Sequence, residues 1–215
     1  EGKYGYSYYN WAVRFDNPSS PSVEKTIIDN TIQYSNGSSY ARGGVAVDLD
    51  PTSDNYGTIY ASTGYSKGIF VYSPDHTKTR SGLLSGTFNS SNRHSPFRLA
   101  TSNGKLYIAD WSDAHAGVWV YDPKAGETVT NLFNGTKGTG GQIVNNGEAV
   151  GGGVTSIAFV GKGEDRKMFV LCEDIPTGNA GNTVLRYDLG TADTWSTAPS
   201  ANFGKVDTWL SLNPA

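Results

Sequence analysis

The feature that most constrains this chain is a short strand-like run that ends on Tyr-Asp-Pro or a close variant and recurs along the sequence. The run Gly117–Tyr121 leads into Asp122-Pro123, and similar runs end at Tyr72 and Tyr187, with a weaker one at Phe15. Each run is apolar or β-branched and is bounded by turn-forming residues, which is typical of strands separated by turns. The markers recur at spacings of 57, 49 and 66 residues, and this recurrence indicates a fold built from repeated supersecondary units.

Each of the three complete units contains three further strand-like runs around this marker strand. First strands are predicted at Gly44–Asp48, Phe97–Ala100 and Val154–Ala158, and second strands at Thr58–Ala61, Lys105–Ala109 and Met168–Cys172. Third strands are predicted at Ile69–Tyr72, Val118–Tyr121 and Val184–Tyr187, and fourth strands at Glu24–Ile28, Ser81–Phe88, Thr128–Phe133 and Lys205–Leu210. No window has a sustained 3.6-residue apolar period with caps, so we predict no helix.

Four short antiparallel strands in a repeated unit predict an all-β fold, a β-propeller built of four-stranded antiparallel blades. The blade units cover about residues 1–35, 43–90, 96–135 and 152–212, which form one propeller domain or propeller segment of about 3.5–4 blades. The first unit is incomplete, with strands near Tyr6–Asn10, Trp11–Asn17 and Glu24–Ile28. Because propellers have about four to eight blades, we expect a segment of a larger propeller; a four-bladed ring and completion by a second subunit are the alternatives.

The blade sequence resembles the NHL and gluconolactonase-like group of propellers. The residues that carry the resemblance are Ser102–Asp110, with Asn-Gly followed by Leu-Tyr-Ile-Ala-Asp, and Val118–Pro123. The resemblance implies the propeller fold and metal sites made of carboxylates and amides from several blades. It does not select one activity, because propellers host many.

Composition excludes several classes of partner. The net charge is −3, which gives no basic surface for nucleic acid, and no apolar run approaches the ~20 residues that a membrane-spanning helix needs. The chain has 13 Tyr, 5 Trp and 27 Gly and only 17% charged residues, against about 25% in a typical soluble domain. This favours an extracellular, periplasmic or cell-surface location, with further domains or chain segments of a larger protein as neighbours.

The connectivity of a blade predicts where a binding site lies. Because successive strands alternate in direction, the loops between second and third strands and the loops between blades leave from the same end of the sheets. The candidate ligand-binding residues of that face are Trp111, Asp113, His115, Arg42, His94 and Arg98. An aromatic face such as that of Trp111 can pack on a sugar ring while polar neighbours bind its hydroxyl groups.

The densest polar segment, 110–115, also offers oxygen and imidazole ligands. Asp110, Asp113 and His115, completed by Glu173 or Glu148 from the next unit, predict a site for a divalent metal such as calcium. Asp110 and Glu173 are the candidate ligands. The alternative is that Asp110 binds its own loop backbone, as Asp does in turns. The spacing matches neither a zinc motif nor a calcium loop.

The sequence carries no recognisable catalytic motif. It lacks a Gly-x-Ser-x-Gly elbow, and its three histidines fall in different loops. We therefore expect a non-catalytic module that binds a glycan or a protein on its loop face. The alternatives are a metal-assisted hydrolase of the lactonase type and a structural spacer domain.

Overall fold

The computed structural model describes residues 9–15, 25–33, 44–62, 68–84, 96–110, 117–126, 129–132, 144–145, 148–149, 154–172, 183–191 and 206–211. Most of these residues are in β-strands. Helical structure among them is limited to two single 3-10 turns, Pro123–Ala125 and Gly163–Asp165. The prediction of an all-β chain built of four-stranded antiparallel sheets is confirmed for this part of the protein. The same residues contain no helix with the length and apolarity needed to cross a membrane.

Three antiparallel sheets of four strands follow one another along the chain, and in each the strand order is the chain order. The chain begins with the two-stranded pair β1 (Tyr9–Phe15) and β2 (Lys25–Gln33). Sheet I contains β3 (Val45–Val47), β4 (Ile59–Ser62), β5 (Ile69–Tyr72) and β6 (Lys78–Leu83). Sheet II contains β7 (Pro96–Ser102), β8 (Lys105–Asp110), β9 (Gly117–Tyr121) and β10 (Val129–Asn131). After the short pair β11 (Val144–Asn145) and β12 (Glu148–Ala149), sheet III contains β13 (Val154–Val160), β14 (Lys167–Cys172), β15 (Thr183–Asp188) and β16 (Val206–Ser211).

The three marker strands are confirmed as the third strands of three separate sheets, β5, β9 and β15. The second strand predicted at Met168–Cys172 is confirmed as part of β14, in which Met168 and Val170 are fully buried.

Several predicted strand boundaries are wrong. The break between Tyr6–Asn10 and Trp11–Asn17 does not exist, because one strand, β1, crosses it with irregular register between Asn10 and Val13. Its partner β2 continues past Ile28 to Gln33, since pairing with Tyr9 extends the ladder.

Two further corrections concern the other sheets. The fourth strand of sheet I begins at Lys78 rather than Ser81, because the tight turn before it pairs Lys78 directly with Tyr72. The segment between the third and fourth blade units, to which the sequence analysis assigned no strand, contains the short β11–β12 ladder.

The sheets are stacked so that sheet II is covered on both faces. Leu106 and Ile108 of β8 face the cluster that includes Tyr60 and Ile69 of sheet I. The alternate residues of the same strand, Tyr107 and Ala109, face the cluster shared with sheet III. Because neighbouring side chains of a strand point to opposite faces, burial on both faces explains why β8 is a nearly continuous apolar run.

The first strands of the three sheets lie close together. Strand β7 packs against β3 on one side and against β13 on the other, and the hydroxyl of Thr101 donates a hydrogen bond of 2.9 Å to the carbonyl of Val47. The turn that joins β7 to β8 is tight, because Asn103 and Gly104 both have left-handed backbone angles, with φ of 52° and 71°. This is the geometry of a two-residue hairpin turn, which Asn-Gly favours.

Candidate functional site

The predicted loop face corresponds to one end of the sheets. In sheet II the start of β7, the end of β8 and the start of β9 are adjacent, because Asp110 pairs with both Pro96 and Gly117. In sheet III, Cys172 likewise pairs with both Val154 and Thr183. The connections between second and third strands therefore leave each of these sheets at the end where the first strand begins.

Two of the predicted site residues are described at this end. Asp110 is the last residue of β8 and is fully buried. Arg98 lies on β7, where it pairs with Ala109 and is exposed to solvent. The remaining predicted site residues lie outside the described residues: Trp111, Asp113, His115, Arg42, His94 and Glu173. Within the described part of the chain, no group of three or more His, Cys, Asp or Glu side chains is arranged to hold a metal ion.

The opposite end of the sheets is formed by the connections between first and second strands, and that of sheet I is the longest. This 48–58 loop (Asp48 to Thr58) is organised around the carboxylate of Asp48, which is only 2% exposed. That carboxylate accepts hydrogen bonds from the backbone N–H of Asp50 at 3.0 Å and from the hydroxyl of Ser53 at 2.7 Å. Asp and Ser form such local turns readily, so the segment folds on itself although it contains no strand.

The 48–58 loop contacts both of the following sheets. The side-chain amide of Asn55 donates to the carbonyl of Gly104 in sheet II at 2.8 Å, and the carboxylate of Asp54 pairs with Lys124 after β9. The ammonium group of Lys162, in the β13–β14 turn, donates to Asp50 at 3.2 Å. One loop therefore connects the ends of all three sheets.

Two adjacent clefts open around this loop. The first, of about 340 Å³, lies between the 48–58 loop, the Asn103-Gly104 turn and the segment 122–124. The second, of about 280 Å³, lies between the same loop, the end of β7 and the β13–β14 turn, with Leu49 and Phe159 in its walls. Both clefts are lined by Asp50 and Asn103, so we treat them as one surface, the turn-end groove.

Hydrogen bonds and ion pairs lower the pKa values of two acidic groups of the turn-end groove, Asp50 and Asp54. The hydroxyl and backbone N–H of Thr52, followed by Lys162, hold the pKa of Asp50 below its ordinary value. Lys124 likewise lowers the pKa of Asp54, and the Asp54 carboxylate in turn raises the pKa of Lys124. These side chains are therefore fixed charges and hydrogen-bonding groups near neutral pH, rather than groups poised to transfer protons.

An arginine buried next to the second cleft fixes the junction of sheets II and III. Arg166 is 1% exposed and donates to the carbonyl of Gly190 at 2.8 Å and to the hydroxyl of Tyr107 at 3.0 Å. Tyr60 occupies the matching position on the second strand of sheet I. Its hydroxyl is buried and has no hydrogen-bond partner among the described residues, and burial raises its pKa.

The turn-end groove was not predicted from the sequence, since all the candidate site residues were assigned to the opposite loop face. A usable signal was present in the run Asp48–Asn55, which contains three Asp together with Thr, Ser and Asn. No protein-family model, curated protein sequence or solved structure matches this chain. The groove offers carboxylate, ammonium, amide and hydroxyl groups at one surface, which suits the binding of a polar ligand.

Proposed function

We propose that this chain is a segment of a β-propeller and acts as a non-catalytic binding module of an extracellular or cell-surface protein. Its ligand is a glycan or a protein, bound at the loop face that carries Trp111, Asp113 and His115. The observation that carries the proposal is the stacking of three successive four-stranded sheets whose first strands, β3, β7 and β13, pack on one another.

The exposure of the first strands supports the propeller interpretation. In a propeller, blades pack face to face and their first strands border the central channel. Sheets I, II and III are stacked in chain order through two apolar clusters. Val45 and Val160, which lie on first strands, remain 66% and 60% exposed although they are apolar. Such exposure fits strands that face a channel or further blades of a larger ring.

The chemistry of the loop face supports binding as its role. In the sequence, Trp111 directly follows Asp110, the buried last residue of β8. An indole ring at such a place supplies the flat apolar surface on which a sugar ring packs, and Asp113 and His115 supply hydrogen-bonding groups for its hydroxyls.

A binding experiment tests this assignment. The protein is screened against a glycan array, and the best ligand is titrated by isothermal calorimetry. The double variant Trp111→Ala, Asp113→Ala should lose binding at least tenfold while its unfolding temperature stays unchanged. A matched control is Tyr56→Ala, which removes a 55% exposed aromatic side chain at the opposite end of the sheets and should leave binding intact. The proposal is refuted if the double variant still binds every glycan that the wild-type protein binds, or if the wild-type protein turns over a lactone.

A further inference from the structure

The turn-end groove lies at the end of the sheets opposite to the proposed loop face, and its position does not depend on that proposal. It crosses the ends of all three sheets, since the 48–58 loop reaches sheet II through Asn55 and sheet III through Asp50. Its two clefts, of about 340 and 280 Å³, are comparable to the smaller ligand pockets of proteins. Because they share Asp50 and Asn103, one extended ligand can occupy both.

Six of the seven charged side chains that line the groove form three ion pairs, and the seventh, Asp48, is only 2% exposed. Asp54 pairs with Lys124, and Asp50 pairs with Lys162 at 3.2 Å. The third pair, Lys105 and Asp122, has its charged atoms 3.6 Å apart. At these three pairs, which carry the solvent-accessible charges of the groove, a polyanion or a polycation meets as many like charges as opposite ones. The electrostatics therefore favour a ligand without net charge.

The hydrogen-bonding pattern narrows the ligand class further. Carboxylate oxygens only accept hydrogen bonds and ammonium groups only donate them, so a ligand that reaches both needs groups that do both. A hydroxyl group meets this requirement, and the amide of Asn103, which lines both clefts, can donate to one hydroxyl and accept from another.

Apolar side chains complete the second cleft. Leu49 is 73% exposed, although Leu is normally buried, and it lines the second cleft together with Phe159. The ring of Phe159 packs against that of Tyr107 with centroids 4.5 Å apart, which holds it in place. Alternation of polar groups with small apolar surfaces matches a sugar ring, which has hydroxyl edges and C–H faces.

We propose that the turn-end groove binds a neutral oligosaccharide of at least two sugar units, one in each cleft, with Asn103 between them. The groove is then a second carbohydrate surface, distinct from the loop face. Asn103 fixes the orientation of the chain, and Leu49 and Phe159 pack on the sugar in the second cleft.

The test compares neutral and charged hexasaccharides by isothermal calorimetry on the full chain. The neutral probes are cellohexaose, laminarihexaose, mannohexaose and xylohexaose, and the charged probes are a heparin hexasaccharide and hexagalacturonate. Two groove variants are used. Asn103→Gly removes the amide at a position with φ of 52°, which glycine adopts without strain. Leu49→Ser removes an exposed apolar side chain, and Val45→Ser is its matched control because Val45 is 66% exposed and does not line either cleft.

We expect at least one neutral hexasaccharide to bind, and both groove variants to weaken its binding tenfold or more with unchanged unfolding temperatures. Val45→Ser and the Trp111→Ala, Asp113→Ala variant should retain that affinity. The inference is overturned if no neutral probe binds, if the charged probes bind more tightly, or if Asn103→Gly and Leu49→Ser bind as the wild type does. If only the Trp111→Ala, Asp113→Ala variant loses binding, the oligosaccharide binds at the loop face and not in the turn-end groove. The two proposals therefore fail separately.

Discussion

Two tyrosines in matching strand positions allow a sharp test of how the sheets are held together. Tyr60 on β4 and Tyr107 on β8 are both fully buried between adjacent sheets. The hydroxyl of Tyr107 accepts a hydrogen bond from the buried guanidinium of Arg166 at 3.0 Å. The hydroxyl of Tyr60 has no partner among the described residues. The same substitution, Tyr to Phe, should therefore have opposite effects at the two sites.

The expected magnitudes follow from the partners. Tyr107→Phe removes an acceptor from a buried charged donor, which costs about 1.5–3 kcal/mol in the free energy of unfolding. Tyr60→Phe removes a buried hydroxyl that makes no hydrogen bond, so the free energy of unfolding should stay the same or rise by about 1 kcal/mol. With a urea dependence of about 3 kcal/mol per molar, a loss of 2 kcal/mol lowers the unfolding midpoint by roughly 0.7 M.

Urea unfolding followed by tryptophan fluorescence measures both variants against the wild type. Equal slopes of the transitions would confirm that the change lies in the folded-state contacts and not in the compactness of the unfolded chain. Equal destabilisation by the two substitutions, or a larger loss for Tyr60→Phe, would refute the role assigned to Arg166.

Two further predictions concern the turn end of the sheets. Gly104→Ala should destabilise the protein by about 1 kcal/mol more than Gly163→Ala, as measured by urea unfolding. Both glycines have positive φ. A Cβ at Gly104 would lie 2.7 Å from the Ser53 hydroxyl, whereas a Cβ at Gly163 would meet nothing within 4 Å. An equal loss would show that Ser53 moves aside at no cost. Lys124→Met should raise the pKa of Asp54 towards its ordinary value, because Lys124 is the main cause of the lowered pKa. A carboxyl ¹³C titration measures this shift. The control is Lys105→Met, which should leave the pKa of Asp54 unchanged. A carboxyl group with a lowered pKa in the folded protein stabilises the fold above its unfolded-state pKa. The stabilisation by Asp54 should therefore be lost in the wild type as the pH falls below about 4. An unshifted Asp54 pKa in Lys124→Met would contradict the pairing.

The sequence by itself determined the strands of the three sheets and their order. Runs such as Leu106–Ala109 are apolar at every position because both faces are covered, and Asn103-Gly104 specifies the tight turn before them. These signals are local, since they depend on side-chain alternation and on backbone angles that few residues adopt. The strand ends were less well predicted, as at Lys78 and Gln33, because a ladder extends as far as its partner allows.

Only the tertiary structure decided how the sheets meet and where the turn-end groove opens. Arg166 stands in a charged turn, Glu164-Asp-Arg-Lys167, that reads as a solvent-exposed segment. It is buried because its acceptors Gly190 and Tyr107, 24 and 59 residues away in sequence, come together on folding. The 48–58 loop likewise reaches Gly104 and Lys162 across long stretches of chain. Contacts of this kind depend on packing between sheets, which no local pattern of residues encodes.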